Sequence, residues 1–153
     1  MAYVEKLSDF FRTIVKYKDK QVITLEEELN IAQNYFLLQQ QRFGSAFIIH
    51  QSVDKQMLQT WVPPLVLQLL LENVIKHNAV SFETPLTVSI YCEDSRLIFK
   101  NNINTKTSLE RSTGTGLQNI INRYKIISKQ DVKIIKTETM FMVSLPLIKN
   151  HVL

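Results

Sequence analysis

The chain has 153 residues, a net charge of +4 and 21% charged residues, which is a composition typical of one globular domain. It contains no apolar run of about 18 residues, so no transmembrane helix is predicted. Its basic residues are scattered along the chain, which argues against a nucleic-acid surface. The single cysteine, Cys92, excludes a disulfide framework and a thiolate metal site within the chain.

Two helices are predicted at the start of the chain. Residues 2–17 carry apolar side chains at spacings of three and four, which form one face: Leu7, Phe10, Phe11, Ile14 and Val15. Thr24 followed three residues later by Glu27 is a capping-box signature. A second helix is therefore predicted from this point to about Arg42, and it should end at Gly44.

The rest of the chain mixes strands with two further helices. Five segments are predicted as strands, the last two as a hairpin: AFIIHQ, PLTVSIYC, RLIFKN, VKIIKTET and MFMVSLPL. A helix is predicted over residues 64–78, after two prolines, and another over GTGLQNIINRYKIIS, after a polar loop. The order α-α-β-α-β-β-loop-α-β-β predicts an α+β sandwich with helices packed on one face of a sheet.

The helix predicted over residues 64–78 carries four polar residues within one arc of about 140°: Glu72, Asn73, Lys76 and His77. The opposite side is apolar and should face the sheet: Leu67, Leu70, Leu71, Val74 and Ile75. A solvated polar stripe and a ligand-facing surface both fit this helix taken alone.

The polar arc has the chemistry of a metal–phosphate site. Magnesium takes one or two protein oxygens together with phosphates and water, and the amide oxygen of Asn73 on a rigid helix is suited to that role. Lys76 or His77 could neutralise the remaining phosphate charge. Glu72 could orient a metal-bound water or accept a proton.

A glycine-containing turn precedes the last predicted helix. Two of the three glycines in the chain are Gly114 and Gly116, and they lie in STGTGLQNIINRY. Glycine lets backbone N–H groups approach an anion closely, and the helix that follows would present its N-terminus there. Asn119 and Arg123 share a face and could reach a phosphate. A simple entry turn to the helix is the alternative interpretation.

Taken together, four stretches resemble one family: ITLEEELNIAQNYFLLQQQRFG, VPPLVLQLLLENVIKHN, STGTGLQNIINRY and VSLPL. They are similar to the catalytic and ATP-binding region of the LytS/YehU-like sensor histidine kinases, in the GHKL ATPase superfamily. The resemblance implies a two-layer ATP-binding sandwich at residues 44–153. Residues 1–43 would then be the end of a helical dimerisation segment.

The resemblance also implies roles for individual residues. Asn73 would bind Mg²⁺, and Glu72, Lys76 and His77 would act close to the phosphates. The remaining nucleotide contacts would be made by residues from three motifs: Asn101, Asn102, Thr113, Gly114, Thr115, Gly116, Leu117, Asn119 and Arg123. The polar segment INTKTSLERST would form a mobile lid over ATP.

The sequence departs from the family pattern at two places. The family has a DxGxG motif after the strand that corresponds to RLIFK, whereas this chain has NNINTK. Asn101 stands at the Asp position, and a neutral amide is a weaker hydrogen-bond acceptor than a carboxylate. The family's phosphoacceptor histidine motif is also missing, so the chain is interpreted as the C-terminal fragment of a larger kinase.

The expected function is therefore that of a two-component sensor kinase fragment with ATP and Mg²⁺ as cofactors. The parent would be a membrane-bound homodimer with this region in the cytoplasm. It would pass phosphate from a histidine on an upstream helix to a response regulator, which in this family often carries a LytTR-type DNA-binding domain. A non-catalytic dimerisation module and an anti-sigma-factor-type serine kinase are the alternatives.

Overall fold

The computed structural model describes residues 2–105 and 115–149. Four helices lie within these ranges: α1 (Ala2–Tyr17), α2 (Leu25–Phe43), α3 (Val66–His77) and α4 (Thr115–Ile127). They alternate with seven strands: β1 (Ile23–Thr24), β2 (Phe47–Ser52), β3 (Trp61–Val62), β4 (Leu86–Glu93), β5 (Arg96–Asn102), β6 (Lys133–Lys136) and β7 (Met140–Pro146). The four predicted helices and five predicted strands are confirmed, and most of the predicted lid lies outside the described residues.

Five of the strands form one sheet in the order β2-β4-β5-β7-β6. The pairs β4–β5 and β6–β7, each joined by a short turn, are antiparallel as predicted, and β5 also pairs antiparallel with β7. The pair β2–β4 is parallel, because the chain crosses over through α3 between these two strands. The short strands β1 and β3 form a separate antiparallel pair.

Alternate residues of the central strands face the helices and form the core of the α+β sandwich. In β4, Leu86, Val88 and Ile90 are buried, while the residues between them are partly exposed. The predicted boundary between residues 43 and 44 coincides with the end of α2. The core crosses that boundary, since buried residues of α2 and of the sheet belong to one cluster.

Helix α2 begins and ends as its sequence predicts. The Thr24 hydroxyl accepts a hydrogen bond from the Glu27 amide at 3.2 Å and donates one to its carboxylate at 3.1 Å. This pair of bonds joins the residues of the predicted capping box. At the other end, Gly44 has φ +58°, a conformation that glycine adopts without a steric penalty.

Helix α1 is confirmed, but only part of its predicted apolar face is buried. Phe10 is buried against Tyr35 of α2, with ring centroids 5.5 Å apart, but Phe11 and Val15 are 57% and 63% exposed. The five apolar residues therefore do not form one buried face. Only the side of α1 that meets α2 is covered, and the neighbouring apolar stripe is exposed. Within residues 2–105 and 115–149, the structure has no helix long and apolar enough to cross a membrane.

Candidate functional site

The predicted polar arc of α3 is exposed in the structure, and its apolar side is buried. Leu67, Leu70 and Leu71 are completely buried against the sheet. Glu72, Lys76 and His77 are exposed, and Asn73 is half-buried at the border between the two sides. Amphipathic spacing along α3 thus fixes which side chains point away from the core.

This polar side of α3 opens onto a cavity of about 530 Å³. The second half of α3, the first turns of α4 and the ends of β5, β6 and β7 surround it. Nine of the predicted site residues line this one cavity: Glu72, Asn73, Lys76, His77, Asn101, Thr115, Gly116, Leu117 and Asn119. The two motifs that lie about 40 residues apart in the sequence are therefore joined in space.

Asn73 and Gly116 make the closest contact between the two site helices. A Cβ atom placed on Gly116 would lie 3.2 Å from Nδ2 and 3.3 Å from Oδ1 of Asn73. These separations are tighter than ordinary packing, so any side chain at position 116 would press on the amide. Gly116 is thus needed for the close approach of α4 to Asn73 rather than for an unusual backbone angle.

Asn101 lies at the end of β5 and is 2% exposed. Its Nδ2 donates to the Asn102 carbonyl at 2.9 Å, which orients the amide. Its Oδ1 is buried and has no hydrogen-bond partner among the described residues. A buried acceptor of this kind is costly unless it is paired, so a ligand N–H group in the cavity would complete it.

The strand register places two further residues beside Asn101. Asn101 pairs with Phe141 of β7, and Phe141 pairs with Lys136 of β6. Directly paired residues point to the same face of a sheet, and all three line the cavity. The sheet side of the cavity therefore has an acceptor, an aromatic ring and a cation in one row.

Glu72 has a different environment from the other polar residues of α3. Burial raises the pKa of its carboxyl, and a hydrogen bond from the Gln68 side-chain amide acts in the opposite direction. Burial raises the pKa of Tyr35 on α2, and the charge of Glu72 raises it further. A carboxyl with a raised pKa can hold a proton more readily than one with an ordinary pKa.

Four predicted residues are not brought into the cavity by the described structure. Asn102 accepts from the Thr87 amide at 2.7 Å and donates to the Pro85 carbonyl at 3.0 Å, so it holds the start of β4. Arg123 donates to the Pro64 carbonyl at 2.6 Å, at the opposite end of α3. The remaining two, Thr113 and Gly114, lie outside the described residues.

Residues that the sequence reasoning missed support the site or complete it. Asn78 is buried, donates to the Val74 carbonyl and accepts from the Asn104 amide, both at 2.9 Å. This bond ties the end of α3 to the segment after β5. Further lining residues were also missed: Leu69, Val74, Asn78, Lys136 and Phe141. Ile103, the first residue of the predicted lid, lines the cavity as well. Lys136 and Phe141 could have been found only from the pairing register of β5, β7 and β6.

Comparisons with known proteins agree with this fold. A histidine kinase family profile matches residues 1–47. The sensor histidine kinase/phosphatase LytS of Staphylococcus aureus is 33% identical over 137 residues, which cover 78% of this chain and 24% of that protein. The chain thus spans about a quarter of the length of the curated relatives it matches.

Solved structures share the fold at low sequence identity. The catalytic domain of histidine kinase ThkA superposes with a TM-score of 0.56 at 11% identity, covering 84% of this chain and 99% of that one. The Acinetobacter baumannii histidine kinase AdeS gives a TM-score of 0.53 at 12% identity, covering 92% and 77%.

The five-stranded sheet with helices on one face is the fold of a histidine kinase catalytic domain. The cavity lies where the polar side of α3 meets the first turns of α4. Within this class, the chain belongs to the LytS-like sensor histidine kinases.

Proposed function

We propose that the chain binds Mg·ATP in the cavity and presents its terminal phosphoryl group for transfer to a histidine. The observation that carries the proposal is the meeting of Asn73 and the first turn of α4 in one cavity. Had the two motifs faced separate surfaces, neither could hold a triphosphate alone. The residues that line the cavity fit such a ligand at both ends.

The base would lie at the end of the cavity formed by the sheet. The unpaired Oδ1 of Asn101 can accept a hydrogen bond from the exocyclic amino group of adenine. Phe141 beside it offers an apolar surface for the ring. The structure therefore supports nucleotide recognition by Asn101 even though the family's acidic residue is replaced by an amide.

The phosphates would lie between α3 and α4. Asn73 offers an amide oxygen for Mg²⁺, and Lys76 and His77 lie on the same exposed side of α3. The N-terminal turn of α4, at Thr115 and Gly116, faces the cavity with the positive end of the helix dipole. A bound Mg²⁺ would neutralise charge on the phosphate oxygens.

Glu72 is suited to hold or accept a proton near the reacting group. Its pKa is raised by burial, and Gln68 fixes the carboxylate by a hydrogen bond. A group with this protonation behaviour at the cavity wall can act as a general base or can orient a water molecule. Asn119 at the second turn of α4 would contribute a polar contact at the rim.

In the intact protein this region would work as part of a two-component system. The acceptor histidine would lie on a helix of the dimerisation segment, and an aspartate of a response regulator with a LytTR-type DNA-binding domain would receive the phosphate. The exposed apolar side chains of α1, among them Phe11 and Val15, would pack against a second copy. The region would be the cytoplasmic portion of a membrane-bound homodimer.

A second candidate is a regulatory module that dimerises without transferring phosphate. The neutral Asn101 at the acidic family position and the exposed apolar stripe of α1 favour it. The two candidates differ in nucleotide binding, because the second does not need a triphosphate in the cavity.

Displacement of a fluorescent ATP analogue, with and without Mg²⁺, tests the proposal. We expect binding in the micromolar to millimolar range that strengthens with Mg²⁺ and loses this dependence in Asn73→Ala and Asn73→Asp. Asn30→Ala is the matched control, since Asn30 is an exposed asparagine on α2 that does not line the cavity. Absence of binding at millimolar ATP would leave the regulatory module as the better description.

A further inference from the structure

Helix α3 is capped by a side chain from another helix. Its N-cap residue, Leu65, has φ 70° and provides no side-chain hydrogen bond. The carboxylate of Glu28 on α2 accepts instead from the Leu65 amide at 2.8 Å and from the Leu67 amide at 2.9 Å. The first amides of a helix have no partner within that helix, so Glu28 satisfies two of them from outside.

Glu28 is completely buried, which makes this contact unusual for a helix cap. A buried carboxylate must be paired, and its two oxygens are both used on α3. The contact is therefore a fixed point between α2 and α3 rather than a surface interaction.

The two helices run side by side in the same direction from that fixed point. Glu28 and Leu65 are 37 residues apart in the sequence. About two turns further along, Tyr35 of α2 lies near Glu72 of α3. Burial is the main cause that raises the pKa of Tyr35, and the Glu72 charge raises it further. The two pairs occur in the same order along both helices, so α2 and α3 are parallel over the length that leads to the cavity.

Helix α4 is attached at the same end. The guanidinium of Arg123 donates to the Pro64 carbonyl at 2.6 Å, next to the amides held by Glu28. The Glu28 carboxylate and Arg123 also attract each other electrostatically. All three helices are therefore joined at the N-terminus of α3, while the cavity lies at its C-terminal half.

We propose that Glu28 is a positioning residue that sets the axial register of α2 against α3 and thereby holds Asn73 opposite Gly116. Helices packed in parallel can slide against each other unless a directional contact prevents it, and hydrogen bonds to the two orphan amides are directional. Movement of α2 would then be transmitted to the cavity. Of the two measurements that test this role, hydrogen exchange and ATP-analogue binding, only the binding measurement rests on the proposed function.

The test compares two substitutions of Glu28 with a control on the same turn. Glu28→Gln keeps the shape but offers one acceptor instead of two, and Glu28→Ala removes both. Glu26→Gln is the control, since Glu26 is an exposed acidic residue of the same first turn whose carboxylate accepts a hydrogen bond from the Gln59 side chain. The control therefore matches the loss of charge near the start of α2.

Two quantities are measured at a temperature where far-UV circular dichroism shows each variant folded. Amide hydrogen exchange of residues 72–77 reports the cavity half of α3, and displacement of the fluorescent ATP analogue reports affinity. We expect Glu28→Gln to speed exchange over residues 72–77 and to weaken Mg·ATP binding by about tenfold. Glu26→Gln should change neither.

A purely structural cap would give another pattern. It would lower the unfolding midpoint and speed exchange at residues 65–68 only, with exchange over residues 72–77 equal to that of the control, and this result overturns the proposal. If Glu28→Ala does not fold, Glu28→Gln decides the question. If the wild type binds no nucleotide, the proposed function fails, and hydrogen exchange alone supports or overturns the positioning role of Glu28.

Discussion

The two ends of helix α3 use polar groups in opposite ways. At the N-terminal end, the carboxylate of Glu28 is buried and paired with two amides of the protein itself. At the C-terminal end, Asn73, Lys76 and His77 face a cavity of about 530 Å³. The buried carboxylate therefore holds the helix in place, whereas the polar side chains at the other end lie at the wall of a cavity.

The same contrast recurs between two neighbouring residues of β5. Both polar atoms of the Asn102 side chain bond to the backbone at the start of β4. Its Nδ2 donates to the Pro85 carbonyl, and its Oδ1 accepts from the Thr87 amide. Asn101 keeps its Oδ1 unpaired within the described part of the chain. Identical side chains one position apart thus serve the fold and the cavity respectively.

We expect the largest effect at the N-terminal end of α3, where Glu28 bonds to the helix amides. Burial raises the pKa of Glu28 to about 7 from an ordinary value of 4.5, although amide hydrogen bonds and Arg123 act in the opposite direction. Because this pKa is higher in the folded chain, the stabilising contribution is fully present below pH 4.5 and is lost as pH rises through about 7. At about 1.4 kcal/mol per pKa unit, the loss is about 3 kcal/mol.

Urea unfolding of the wild type and of Glu28→Gln between pH 4 and 8 measures this loss. The free energy of unfolding of the wild type, taken relative to the variant, should fall by about 3 kcal/mol across this range. The charged and titratable side chains that face Glu28 come from α4, namely Arg123 and Tyr124, and neither titrates there. Parallel pH profiles for the two proteins would contradict the prediction.

The next effect separates Asn101 from Asn102. Asn101→Leu removes the unpaired acceptor, so we expect ATP affinity to fall about tenfold, the equivalent of one hydrogen bond of about 1.4 kcal/mol. Stability should change little, because removing the buried, unpaired Oδ1 offsets the loss of the Nδ2 hydrogen bond to the Asn102 carbonyl. Nucleotide displacement and urea unfolding measure the two quantities.

Asn102→Ala provides the control with the opposite outcome. It removes hydrogen bonds to Thr87 and Pro85, so the free energy of unfolding should fall by about 1–2 kcal/mol while ATP affinity is retained. If both variants lose stability and affinity in the same proportion, the division of roles between the two asparagines is wrong.

The sequence predicted most of the local structure, because local structure depends on neighbouring residues. Helix α2 starts after Thr24 and ends before Gly44 as its caps require. The parallel pairing of β2 with β4 was not predicted, since it depends on how α3 crosses over the sheet. The exposed position of Phe11 on α1 was missed for a similar reason, because periodicity identifies an apolar side but not what covers it.

The site was predicted where a motif carries it and missed where the pairing of strands carries it. Asn73 and Gly116 came from two motifs, and the structure joins them. Phe141 lies beside Asn101 only through strand register, which single segments do not reveal. Arg123 was assigned to the phosphates because it shares a face with Asn119, yet one further turn of α4, about 6 Å, carries it towards Pro64.

The smallest effect tests the contact between the two site helices. Alanine is favoured over glycine in helices by up to about 1 kcal/mol, so Gly116→Ala should stabilise α4. The new Cβ would lie 3.2 Å from the Asn73 amide, and this crowding should cancel part of the gain and weaken ATP binding a few-fold. Urea unfolding of Gly116→Ala in the wild type and in Asn73→Ala separates the two terms.

In the Asn73→Ala background the crowding is absent, because the amide that the new Cβ would meet has been removed. Gly116→Ala should then raise the free energy of unfolding by the full helix-propensity term of about 1 kcal/mol, and by less in the wild type. An equal gain in both backgrounds would mean that α4 does not approach Asn73 as closely as the structure shows. The C-terminal half of α3 would then lack the close contact between Asn73 and α4 on which the proposed nucleotide site depends.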